Sequence, residues 1–77
     1  MNKERRSWIN QIISELESLK DDIENVRVEE QEAYENLPES IQNSERGESM
    51  YDNASDLEDA ASNLDDIICT LRNIIER

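Results

Sequence analysis

The stretch "EEQEAYENLPESIQNSERGESMY", residues 29–51, separates two long segments whose apolar residues recur with helical spacing. Pro38 lacks an amide proton and biases Leu37 away from helical angles, so a first helix ends near Asn36 or Leu37. Ser44 followed by Glu45 supplies a cap acceptor and a first-turn acid for a second helix, although Gly47 stands where a full capping box has Glu. The break is short. Two long helices joined by so few residues fold back on each other as an antiparallel hairpin.

Working outward, Ile9, Ile12, Leu16, Leu19, Ile23, Val26, Glu30, Ala33 and Leu37 alternate steps of three and four, forming one stripe that only Glu30 interrupts. After the break, Met50, Ala54, Leu57, Ala61, Leu64, Ile68, Leu71 and Ile75 repeat the pattern without a polar member. The chain therefore reads as an all-α, coiled-coil-like two-helix hairpin in a single domain. Helix one covers about 4–36, the turn 37–43 and helix two about 44–76. With the turn centred near residue 42, Val26 lies beside 57–61, Leu19 beside 64–68 and Ile12 beside 71–75.

A second apolar line, Ala60, Ile67 and Ile74, repeats every seven residues beside the main stripe of helix two, while Trp8 and Ile13 widen helix one near its start. An isolated hairpin has no use for this width. The simplest partner is a second copy, giving a homodimeric four-helix bundle. Charge places the contact. From Asp21 to Asp66 there are sixteen acids against Arg27 and Arg46, whereas the rest of the chain carries six bases and four acids. Two acidic middles repel, so the expected dimer interface lies toward the open end: Trp8, Ile12, Ile13, Ile67, Leu71 and Ile74.

Composition excludes several function classes. A net charge of −12 repels nucleic acid and anionic membrane, so direct binding to either is not expected, and it suits a cationic partner. No apolar run is long enough for a signal peptide or a membrane span, which points to the cytoplasm. There is no His and only one Cys, Cys69, so metal cages, Cys/His nucleophiles and an internal disulfide lack their parts. Carboxylates are plentiful, but no poised base is visible; neither enzyme activity, a metal nor a cofactor is expected.

Two clusters carry candidate binding chemistry. Around the turn, Tyr34, Asn36, Ser40, Gln42, Arg46 and Tyr51 supply amides, hydroxyls, two aromatic faces and a nearly solitary cation. They suit a flat ring with a phosphate. They equally suit local work: caps at Asn36 and Ser40, an ion pair of Arg46 with Glu30, Glu35 or Glu45, and tyrosines covering the end of the core. At the open end, Lys3, Arg5, Arg6, Arg72 and Arg77 gather with Trp8. Arg6 and Trp8 could hold an anion and a base there, or the cations could simply offset a helix dipole and aid solubility.

The run "ERR" near the start, then "EEQEAYENLPESIQNSERGESM" and "LEDAASNLDDII", resembles small acidic helical-hairpin proteins of Firmicutes phages and mobile elements. Its most specific part is Tyr34, Asn36, Leu37, Pro38, Glu39, Ser40, Gln42, Arg46 and Gly47. The group looks like the compact phage sponge proteins, homodimers that sequester nucleotide immune signals such as the cyclic ADP-ribose derivatives of Thoeris defence. The resemblance implies a small nucleotide ligand held without turnover in a dimer pocket, in a bacterial host cell. The competing expectation is an acidic DNA mimic that occupies the basic groove of a nucleic-acid-handling protein. A structural coiled-coil module without a ligand is the third.

Overall fold

A computed structural model describes all 77 residues. It is all-helical and elongated, 58 Å long and 15 by 13 Å across. Helix α1 spans Lys3–Glu35, a single turn of helix α2 spans Glu39–Gln42, and α3 spans Glu45–Glu76. Asn2 caps α1, its side chain accepting from the Arg5 amide at 2.9 Å. Ser44 caps α3, with its hydroxyl accepting from the Gly47 amide at 3.4 Å. Each cap satisfies an amide that has no partner within its own helix.

Helices α1 and α3 run antiparallel, tied at Glu17–Arg72 (2.8 Å) and Lys20–Asp65 (2.9 Å), with Tyr34 and Tyr51 meeting near the turn. Only Ile13, Gly47, Ala61 and Ile68 are buried. That is a thin core. The four-helix bundle expected from the sequence needs a second chain, and one hairpin by itself leaves most apolar side chains partly open.

The inner face of α1 differs from the expected stripe. Its shielded residues form the run Ile9, Ile13, Leu16, Lys20, Ile23, Arg27, Glu30, Tyr34 and Leu37, again at steps of three and four, with Arg6, Ile12 and Glu24 half-buried beside it. Leu19 and Val26, expected in the seam, are 53% and 51% exposed. The helix is thus turned so that the row Ile13, Lys20, Arg27 and Tyr34 faces α3, in place of Ile12, Leu19, Val26 and Ala33. Side-chain length explains how Lys20 and Arg27 can sit there. Their aliphatic stems cover the seam while the charged heads reach its edge, Lys20 to Asp65 and Arg27 to Gln31 at 2.7 Å. On α3 the expected seam residues are all shielded, and Gly47 joins the row of Ala54, Ala61, Ile68 and Ile75.

This rotation gives the hairpin two unlike flanks. On one, Glu17, Glu24 and Gln31 meet Tyr51, Glu58, Asp65 and Arg72, and both cross-helix ion pairs lie there. On the other, Ile12, Leu19, Val26 and Ala33 of α1 run beside Ala60, Ile67 and Ile74 of α3, with Trp8 one turn before Ile12. The first flank is polar and the second is apolar.

Candidate functional site

Two of the suspected polar residues of the turn, Asn36 and Gln42, hold the turn itself. Asn36 is the C-terminal cap of α1, its backbone amide donating to the Glu32 carbonyl while the next amide, of Leu37, donates to the Tyr34 carbonyl. The Gln42 side-chain amide donates to the Tyr34 carbonyl at 3.1 Å and the Glu35 carbonyl at 3.4 Å, taking up last-turn acceptors that α1 cannot satisfy. The Ser44 hydroxyl donates to the Ile41 carbonyl while it caps α3. Pro38 opens α2 with φ −55°, within the range that its ring enforces.

Gly47 has a steric task. A Cβ there would lie 2.5 Å from the Ile41 carbonyl oxygen and 2.6 Å from the Gln42 carbonyl carbon, inside any real contact. The backbone of α2 therefore rests directly on the first turn of α3, and only glycine leaves room. The backbone that approaches Gly47 is the end of α2.

The remaining candidates do not converge. Tyr34 and Tyr51 pack edge to face, with centroids 5.8 Å apart and planes at 63°. They line two shallow grooves. One, about 240 Å³, is shared with Gln31, Glu35, Ala54, Ser55 and Glu58. The other, about 250 Å³, is shared with Gln42, Asn43, Glu48 and Asp52. Both contain carboxylates and neither contains a cation. Arg46 occupies the row of Ala60, Ile67 and Ile74 and so lies on the flank opposite Tyr51. It is exposed and makes no ion pair, in contrast to the pairing with Glu30, Glu35 or Glu45 weighed from the sequence. Ser40 is exposed on α2 and makes no hydrogen bond.

Arg6 and Trp8 lie at the other end of the 58 Å rod, so one chain cannot bring them to the turn cluster. The Arg6 Nε is shielded and unpartnered, and Trp8, two residues on, is 68% exposed. Of the open-end cations, Arg72 is engaged with Glu17. Among the residues expected at a dimer contact, Ile13 is 5% exposed and belongs to the hairpin's own core, and Leu71 is a half-buried seam residue. Trp8, Ile12, Ile67 and Ile74 stay on the open apolar flank.

Electrostatics separate the two halves of the rod. Between Asp21 and Asn63, the half that contains the turn, there are fourteen acids and two bases; the rest carries six of each. Lys20 stands at the boundary. Its ammonium donates to Asp65 and lies near Glu24 and Asp21, which raises its pKa above the usual 10.5 despite partial desolvation. Of the twenty carboxylates, only Glu17, Glu24 and Asp65 have a cation within ion-pair distance. No group of acidic or thiol side chains is arranged to hold a metal ion, and no helix is long and apolar enough to cross a membrane. No protein-family model, no curated protein and no solved structure matches the chain.

Proposed function

We propose that this protein acts by binding rather than by catalysis, as a homodimer, and that its acidic rod fits a basic surface such as the groove of a nucleic-acid-handling protein. The observation that carries this reading is the unpaired charge. Seventeen of twenty carboxylates have no intramolecular cation, and a chain that keeps such self-repulsion gives up stability unless a partner supplies the counter-charge. Homodimerisation is supported by the apolar flank, where Trp8, Leu19, Val26 and Ile67 are each at least half exposed.

Sequestration of a nucleotide immune signal, the expectation from the sequence resemblance, is the second reading. What favours it is an Arg46 without an ion pair and, elsewhere at the turn end of the rod, the paired tyrosines Tyr34 and Tyr51. Arg46 and Tyr51 face opposite flanks, so this reading requires a pocket completed by the second copy.

Calorimetry separates the two. The protein is titrated into a basic DNA-binding protein, with and without competing duplex DNA, and separately with a cyclic ADP-ribose derivative. The first reading expects binding to the basic protein that duplex DNA displaces and salt weakens. Binding of the cyclic nucleotide, lost in Arg46→Ala, with none to the basic protein would replace it with the second.

A further inference from the structure

Which way the second copy lies can be read from how bulk and charge are distributed along the rod. On the apolar flank the large side chains Trp8, Ile12, Leu19, Ile67 and Ile74 fall in the half that holds the chain ends, while the turn half offers one large side chain, Val26, with Ala33 and Ala60. The face tapers from bulky to small. Two copies with their turns together would press large on large at one end and leave a gap at the other. Two copies with turns at opposite ends set large against small at both ends, which is how close-packed interfaces avoid both strain and voids.

Charge points the same way. Turns together would place fourteen acids and two bases beside the same set, whereas turns apart place that set beside six acids and six bases, including Arg5 and Arg6. Size adds a third constraint. A face 58 Å long and 15 Å wide has a footprint close to the roughly 800 Å² that each partner contributes to a standard interface. Contact confined to the open ends, as the sequence suggests, would halve that area. Only the arrangement with turns apart allows full-length contact without one strongly acidic half lying against the other.

We infer that a second copy of this chain docks antiparallel on the flank formed by Leu19, Val26, Ala60 and Ile67, with the turn of each hairpin beside the open end of the other. Trp8 of one copy then covers the Ala33 region of the second. Both acidic halves become spread along one rod. Twice the −12 net charge over 58 Å is about one charge per 2.4 Å, against about one per 1.7 Å along duplex DNA. The inference rests on the homodimer of the proposed function but not on the identity of its partner.

The test is a spin-label distance in the full chain carrying Cys69→Ser and Glu39→Cys, with mass by light scattering measured on the same sample. Glu39 is exposed at the tip of the turn, so a label there leaves the packing intact. The expected result is a dimer mass with a label separation close to the 58 Å rod length. A dimer mass with labels within about two rod widths of 15 Å would overturn the antiparallel arrangement and leave the homodimer standing. A monomer mass, about the 9.0 kDa of one chain at all concentrations, would overturn both.

Discussion

Replacing Ile67 with Asp should dissociate the proposed dimer. Ile67 is 50% exposed in the hairpin, and fully burying an Ile side chain contributes about 1.5–3 kcal/mol, so covering its open half contributes about 0.7–1.5 kcal/mol. Two copies meet in each dimer, which doubles the loss to about 1.5–3 kcal/mol. The introduced carboxylate adds a desolvation cost of several kcal/mol per ion in an apolar contact. At about 1.4 kcal/mol per tenfold change, the dissociation constant should rise by at least about 100-fold. Sedimentation equilibrium across a concentration series reads this directly. Because the hairpin core is thin, Ile67→Ala serves as the milder variant, with about a 10- to 100-fold rise and little loss of helicity by circular dichroism. Val28→Asp is the control: Val28 is 40% exposed but lies away from the apolar flank, so its dimer should survive. An unchanged dimer mass at low micromolar Ile67→Asp, or equal effects from Val28→Asp, would refute the assignment of this flank.

Three further outcomes are expected. Gly47→Ala should lower stability by about 1–3 kcal/mol in a denaturant titration, because the crowding of the α2 carbonyls outweighs the about 1 kcal/mol by which Ala favours a helix over Gly. Thermal melts should rise between low and moderate salt as carboxylate repulsion is screened over about 8 Å at physiological ionic strength, and a flat or falling trend would contradict the count of unpaired acids. Lys20 has its pKa raised by Asp65, so its stabilising contribution is complete below the ordinary value of 10.5 and disappears as pH rises through the higher folded value. The difference in melting temperature between wild type and Lys20→Met should therefore be constant from neutral pH to about 10 and shift only beyond it.

The two helices and their pairing were legible in the sequence because steps of three and four leave few alternatives, and Pro38 and Ser44 mark the break. The facing of α1 was not. Ile12, Leu19, Val26 and Ala33 differ from Ile13, Lys20, Arg27 and Tyr34 by one residue, a rotation of about 100°. Apolarity alone selects the first row. The fold uses the second because long basic side chains can cross a seam and still reach its edge, which leaves the more apolar row open. A stripe read from sequence thus merges the face that closes the hairpin with the face left outside it.

At the turn, residue types pointed to donors and acceptors but not to their partners. Gln42 looks equally fit for a ligand or for backbone carbonyls until α2 is seen, and that helix is one turn long, too short to give a periodic signal. The opposite placement of Arg46 and Tyr51, five residues apart, does follow from helical geometry once the inner row of α3 is known.

The seating of α2 on Gly47 also bears on how the chain avoids misassembly. Two helices of 33 and 32 residues with compatible seams could exchange partners, each chain straightening so that its α3 pairs with the α1 of another. Such an exchange needs the connection to extend. Here Pro38 interrupts continuous helix, the Gln42 amide grips the end of α1, and the α2 carbonyls lie against the Gly47 backbone, so straightening breaks each of these contacts. The turn thereby holds the closed hairpin against domain swapping and leaves the exposed apolar flank as the face open to the proposed dimer.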